Sequence, residues 1–187
     1  MPTALAIPLP THADRPEEPP ARLVLREMWT APAMHRLTEA NLDRLRAFEH
    51  WAHAEQTLRS QQAYTRQQLL DWVDGRAVPF AIECGGELVG SVGARIDRWD
   101  NTAEIGCWID AAHEGRGLVL RAMRRMVEHL FDDHLVARVE ARTSAHNPRT
   151  RLLNERLGMV HEGTLRDASQ VGTERHDVAV WSILRPA

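Results

Sequence analysis

Ala103–Arg125, AEIGCWIDAAHEGRGLVLRAMRR, is the stretch whose reading decides the fold. It begins as a strand, Ala103 to Asp110, passes through a short loop holding Gly115 and Gly117, and continues as a helix. The helix is read from apolar residues at Leu118/Val119, Ala122/Met123, Val127 and Leu130/Phe131, a recurrence of about four residues. A glycine loop between a strand end and a helix start lets backbone N–H groups converge, and the positive end of the helix dipole adds to them. That combination is an anion site suited to phosphate. Arg116, Arg121, Arg124 and Arg125 add four guanidinium groups within the loop and two turns. They either complement a ligand carrying several phosphates or solvate an outer helix face.

Two common glycine motifs fail here. A P-loop needs Lys-Ser/Thr after its glycines, where this loop has Gly117-Leu118-Val119. The dinucleotide fingerprint needs three glycines, and two are present. The ten histidines form no His-x-x-x-His or His-Glu-x-x-His unit, so no metal is expected. No Ser-His-Asp or Cys-His nucleophile can be argued from spacing.

Outward from the loop, strand and helix alternate. A strand is expected over Ala137–Thr143 and a helix over Pro148–Leu157, with Asn147 as N-cap, Pro148 in the first position and Gly158 just past the end. Two closing strands come next, about Met159–Leu165 and His176–Leu184. Upstream, Val78–Cys84 and Glu87–Ile96 flank Gly85-Gly86, a strong hairpin signal. Two helices precede them, Thr38–Gln56 with Thr38 as N-cap and about Thr65–Val73, after a first strand over Ala21–Met28.

Residues 1–20 hold six prolines and little continuous apolar sequence, which reads as a flexible arm ahead of one domain spanning 21–187. No charged segment precedes an apolar run there, and no apolar stretch reaches membrane-spanning length, so neither a secretory signal nor a membrane partner is expected. With 187 residues, 43% of them hydrophobic, the chain can bury a substantial core. Its formal charge of −3 argues against general nucleic-acid binding. All 23 basic residues are arginine, and two cysteines give no disulfide framework, so a reduced cytoplasmic location is expected.

Glu114-Gly115-Arg116-Gly117-Leu118-Val119 resembles the pyrophosphate loop of the GNAT N-acetyltransferase superfamily, Gln/Arg-x-x-Gly-x-Gly/Ala, with Glu114 and Val119 departing from the pattern. A bulky apolar residue at the last place, as Val119 is here, is usual in the RimJ/RimL-type branch. Further matches to that branch run in order: Glu87-Leu88-Val89-Gly90, Ala103–Gly106, Trp108–Asp110, Asn147-Pro148, Leu157-Gly158 and Glu162–Arg166. The resemblance implies an α/β fold with a mixed, mostly antiparallel sheet of about seven strands and helices on both faces. It implies acetyl-CoA as cosubstrate, with backbone groups of Cys107, Trp108 and Ile109 holding the pantetheine arm, Glu114 to Val119 the pyrophosphate, and Asn147 near the pantetheine or the thiol. Arg149 and Arg151 either reach the 3′-phosphate of CoA or face solvent. The first helices become one wall of the acceptor pocket, with Trp51 and Trp72 as substrate contacts and His53 and Tyr64 beside them. A homodimer is compatible with the family.

Acetyl transfer requires a neutral amine, a polarised carbonyl and a proton for the departing thiolate. Backbone N–H groups suffice for the carbonyl. The helix position where many GNAT enzymes carry a tyrosine is Asn154 here; RimJ/RimL relatives can use a hydroxyl earlier in that helix, and the resemblance puts that role on Thr150, the candidate acid. The carboxylate that comes after the Glu-Gly segment in ribosomal-protein-modifying relatives is replaced by Ser169, which leaves Glu104 as the candidate base, with Asp167 and Asp177 as further acidic positions. An α-amine is already about a tenth neutral at pH 7, a lysine amine under ~0.1%. A weak base therefore favours a protein N-terminus over lysine, and the family's manner makes a ribosomal protein the leading acceptor. A small-molecule amine and a non-catalytic acyl-CoA sensor are the two alternative readings.

Overall fold

The computed structural model describes residues 5–11 and 17–186. Eight strands form one sheet: β1 (Ala6–Pro8), β2 (Ala21–Leu25), β3 (Ala77–Cys84), β4 (Glu87–Asp97), β5 (Thr102–Ile109), β6 (Arg138–Ser144), β7 (Val160–Val171) and β8 (Glu174–Leu184). Five helices join them: α1 (Ala31–Ala40), α2 (Leu42–Arg46), α3 (Leu58–Val73), α4 (Leu118–Asp132) and α5 (Pro148–Leu157). The strand order is β1-β2-β3-β4-β5-β6-β8-β7. Every neighbouring pair is antiparallel except β5 and β6, which are parallel and connected through α4. A parallel pair requires such a crossover.

The main core lies between the sheet and α4. Leu118, Ala122, Met123, Met126 and Leu130 form the buried stripe of that helix against Leu23, Phe80, Ile82 and Val92. Each fully buried large side chain of this kind contributes about 1.5–3 kcal/mol relative to exposure. A smaller cluster on the other face packs Met34 and Leu37 of α1 against Val24, Ala81 and Trp108. Helices therefore cover both faces, as expected, and the sheet has one strand more than the seven anticipated.

That extra strand comes from the arm. Ala6–Pro8 pairs with β2, and Ile7 and Leu9 are buried. Arg121 of α4 fastens the residues beyond β1, donating to the Pro10 carbonyl at 2.7 Å and to Glu18 at 2.6 Å. Residues 5–11 and 17–20 are thus docked rather than free. The rest of the expected arm, 1–4 and 12–16, lies outside the described residues.

The first helices also differ from expectation. Thr38 is no N-cap: it sits in the last turn of α1, its hydroxyl donating to the Met34 carbonyl at 2.8 Å. Pro32 in the first turn marks the real start. The expected single helix then breaks at Asn41, whose amide is committed elsewhere, and resumes as α2 and a 3-10 turn, His50–His53. α3 starts at Leu58, ahead of the Thr65 that the apolar period suggested, because Thr57 and Ser60 form a reciprocal cap. By contrast, α5 obeys its sequence signals to the residue. Asn147 Oδ1 accepts from the N–H groups of Arg149 and Thr150, and Gly158 takes the left-handed conformation at the end (φ +80°).

Candidate active site

β5 and β6 pair only from Thr102/Arg138 to Ile105/Ala141. Beyond that rung β5 stays bonded to β4 as far as Ile109, and β6 stays bonded to β8 as far as Ser144. The two strands therefore part inside the sheet, and among the described residues Gly106, Cys107, Trp108 and Ile109 have no strand partner on the β6 side. An extended, amide-containing ligand can complete that edge with the geometry of a missing strand. Gly90 on β4 keeps the near bank tight, since a Cβ there would lie 2.5 Å from the Trp108 carbonyl oxygen.

Side chains alternate along this bank. Trp108 packs on the α1 side, while Cys107 and Ile109 pack towards the main core. Burial pushes the Cys107 thiol up to about 12, and the nearby Glu49 carboxylate adds to the effect. A thiol with its pKa raised in this way is a poor nucleophile at neutral pH.

β5 leads through a 3-10 turn, Ala111–His113, into the glycine loop. Gly115 and Gly117 both adopt left-handed backbone (φ +71° and +70°), and Gly117 is the N-cap of α4. With no side-chain cap and no acidic residue in the first turn, the N–H groups at the start of α4 remain available to an anion. Leu118 is buried beneath the loop and Val119 packs against the core, so these two contribute through the backbone. The four arginines do not gather here. Arg121 holds the N-terminal segment, Arg124 donates to the Arg156 carbonyl at 3.0 Å, and Arg125 pairs with Glu128 at 3.3 Å. Arg116 alone stays at the loop, donating to the Ala112 carbonyl. Guanidinium reach, rather than spacing along the helix, decides those partners.

Glu114 is a hub. Its carboxylate receives Arg44 from α2 and Arg149 from α5, the latter at 3.0 Å. Behind it, buried Asn41 donates to the Leu37 carbonyl and Asp110, and accepts from Ala111 N–H and Arg44. With the amide's donor and acceptor positions filled, the wall formed by α1 and α2 is locked to the loop. Burial works against the charge of Asp110, but its bonds from Asn41 and His113 outweigh it and lower its pKa. Sequence reasoning missed Asn41, Arg44 and Asp110, because their partners lie about seventy residues away.

Where the first helices are expected to line an acceptor pocket, Trp51 is half-buried, and its Nε1–H donates to Glu49 at 2.8 Å. Burial raises the Glu49 carboxyl above its ordinary value, and the Trp51 bond partly opposes that. Arg26 is buried beneath Tyr64, 5.1 Å from the ring centroid, and donates to Ser91 Oγ at 3.3 Å. Trp72 instead packs against the main core from the end of α3, with no ring contact to Trp51 among the described residues. His53 donates its Nε2–H to the Arg46 carbonyl at 2.9 Å and lies against Gly172 beyond β7.

Glu104 stands in the closed part of β5, where Arg95 donates to it at 2.9 Å. The far bank carries Asn147 and Thr150. The Thr150 hydroxyl donates to the Asn147 carbonyl at 3.1 Å, and the Asn147 N–H to the Ser144 carbonyl at 3.0 Å. Ser169 faces His176 across β7 and β8, while Asp177 accepts from the Asp167 N–H. Among the described residues no group of three or more His, Cys, Asp or Glu is disposed to hold a metal, and no helix is long and apolar enough to cross a membrane.

A family model described as "Acetyltransferase (GNAT) domain" matches residues 22–160. The "Putative ribosomal N-acetyltransferase YdaF" of Bacillus subtilis is 28% identical over 155 residues, 80% of this chain and 85% of that protein. The ribosomal-protein-serine acetyltransferase of Escherichia coli is 29% identical over 109 residues, 58% of this chain and 61% of that protein. Among solved structures, RimL, a ribosomal L7/L12 alpha-N-protein acetyltransferase in complex with coenzyme A, superposes with a TM-score of 0.87 at 19% identity, covering 95% of this chain and 97% of its own, a likeness of fold. The matched residues include the parted β5, the glycine loop, α4 and α5, and the chain accordingly belongs to the GNAT family as an acetyl-CoA-dependent acetyltransferase.

Proposed function

We propose that this enzyme, working in the cytoplasm, acetylates the N-terminal α-amine of a protein of the ribosomal type. The observation that carries the reading is the four-residue unpaired edge of β5 ending at an uncapped helix N-terminus, the two supports a pantetheine and a pyrophosphate need. In this reading the backbone of Cys107, Trp108 and Ile109 pairs with the pantetheine. The pyrophosphate sits on Gly115 to Val119, and Glu114 shapes the loop through Arg44 and Arg149. Donors on the edge polarise the thioester carbonyl, and Thr150 gives a proton to the thiolate by turning from the Asn147 carbonyl.

The amine class rests on protonation and on the relatives' own substrates. An α-amine needs little help to lose its proton at neutral pH, unlike a lysine side chain. Two of the named relatives are acetyltransferases of ribosomal proteins, one at serine and one at an α-nitrogen. Trp51, half-buried on the acceptor wall, supports a second reading in which a small amine packs against its ring.

Thiol release from acetyl-CoA tests the proposal, measured against peptides beginning with Ser or Ala, free lysine, polyamines and amine antibiotics, with CoA binding followed by calorimetry. Release with the peptides is expected. Release with small amines alone would replace the acceptor, and binding without release anywhere would make the protein an acyl-CoA sensor.

A further inference from the structure

Within the reading of this chain as an amine acetyltransferase, one role lacks a residue: the acceptor amine must lose a proton before it attacks. Glu104 is held by Arg95 in the closed part of β5, and Glu49 is held by the indole of Trp51. A third group stands on the far bank. His176 is at the start of β8, its side chain only 12% exposed, with Nδ1 3.2 Å from Ser144 Oγ. Ser144 ends the strand that has parted from β5, and its carbonyl accepts from the Asn147 N–H. The imidazole is thus one hydrogen bond from the loop that carries Asn147 and, three residues on, Thr150.

We propose that His176 is the general base of this enzyme, oriented by Ser144, which acts as its positioning residue. Ser144 Oγ also faces the N–H of His146 at 3.3 Å, so the hydroxyl oxygen accepts locally. In the proposed arrangement Nδ1–H donates to the same oxygen, which leaves the lone pair on Nε2 to take the proton. No partner lies within hydrogen-bond distance of Nε2 among the described residues; the nearest carboxylate is Glu174, 3.7 Å away and largely solvated. The other ionisable groups around the ring are His146, whose ring meets it edge-on at 5.8 Å, and Asp177, next in the chain. Ser169 stands directly across the strand pair.

The proton balance is complete without another reactant. Nε2 takes one proton from the acceptor ammonium, and the freed nitrogen lone pair forms the C–N bond at the thioester carbonyl carbon. The C–S bond breaks as the tetrahedral species collapses, and the second amine proton passes through Thr150 to the sulfur. His176 then returns its proton to water. Histidine suits an amine of moderate basicity, because proton transfer is most effective between groups of similar pKa.

The test uses the full chain and whichever acceptor the wild type accepts best. His176→Gln is expected to keep its CoA affinity by calorimetry, showing that it folds, while kcat/KM at pH 7 falls roughly 100-fold. The deficit should shrink as pH rises above about 8, where an α-amine is already neutral and needs no base. A merely structural histidine would not give that narrowing. Adding Ser169→Glu, which places a carboxylate across the rung, should restore at least roughly a tenth of the lost rate. A His176→Gln enzyme within about twofold of wild type, or a deficit constant with pH together with no recovery from Ser169→Glu, overturns the assignment. If the wild type is active only on small amines, the N-terminal reading falls and the same His176 comparison, run on that amine, decides the base. A wild type that turns over no amine overturns both.

Discussion

The two banks of the opening are built in different ways. The β5 bank is backbone: four residues with a bare edge, followed by two left-handed glycines and the free N–H groups of α4. The β6 and β8 bank is made of side chains: Asn147 and Thr150 are held by the local cap of α5, and Ser144 by His176 from a distant strand. The first offers any CoA ester the same peptide-like surface. In the proposed reading the second faces the amine, where one substitution would change the chemistry. A site so divided can keep its cofactor while its acceptor changes.

Gly117→Val strikes the backbone bank hardest. A β-branched residue resists φ +70° and puts methyl groups where phosphate should approach, so CoA affinity by calorimetry should fall at least roughly 100-fold. Normal binding by a folded variant would mean that the loop is not the phosphate site. Gly90→Ala attacks the same bank from behind. Its methyl would press on the Trp108 carbonyl, with an expected cost of about 1–3 kcal/mol, read as a lowered Tm. An unchanged Tm would show that β4 and β5 can separate more easily than their register suggests.

On the other bank, Thr150→Ala should reduce kcat about tenfold while CoA affinity stays within about twofold. If kcat is unaffected, the hydroxyl serves only the helix bond to Asn147. The smallest effect concerns pH. The Arg138 guanidinium and the Ser182 hydroxyl hold Glu162 down at about 2, joining β6, β7 and β8. A carboxyl lowered in the folded state adds stability above its unfolded value, and that stability disappears as pH falls through the folded one. Between about pH 4.5 and 2, thermal stability should decline more steeply in the wild type than in Glu162→Gln. The difference should fade with added salt, since the pair is solvated. Identical acid profiles would mean that the far bank does not depend on this ion pair.

The same division governs how much of the molecule is legible in the sequence. Backbone features leave local marks: Asn147-Pro148 and Gly158 bound α5, Gly85-Gly86 makes the hairpin turn with both φ values positive, and Gly115/Gly117 mark the loop. Side-chain features depend on partners far away. Asn41 breaks a helix to bond Asp110, Ser144 meets His176 thirty-two residues on, and Arg121 leaves the phosphate region to hold Pro10 and Glu18. No short window along the chain contains both members of those pairs. β1 is hidden for a related reason: three residues among six prolines carry no strand period, and their pairing depends on the open edge of β2.

An unpaired strand edge is ordinarily a hazard, because it invites pairing with another chain. Here the exposed length is only four residues, it is enclosed within a sheet rather than along its rim, and the Arg44–Glu114–Arg149 bridge stands beside it. A second polypeptide would need a longer, accessible run to gain register, whereas a slim chain with two amides does not. By its width and length the parting of β5 and β6 suits the proposed pantetheine and is too short and enclosed for a neighbouring protein's strand.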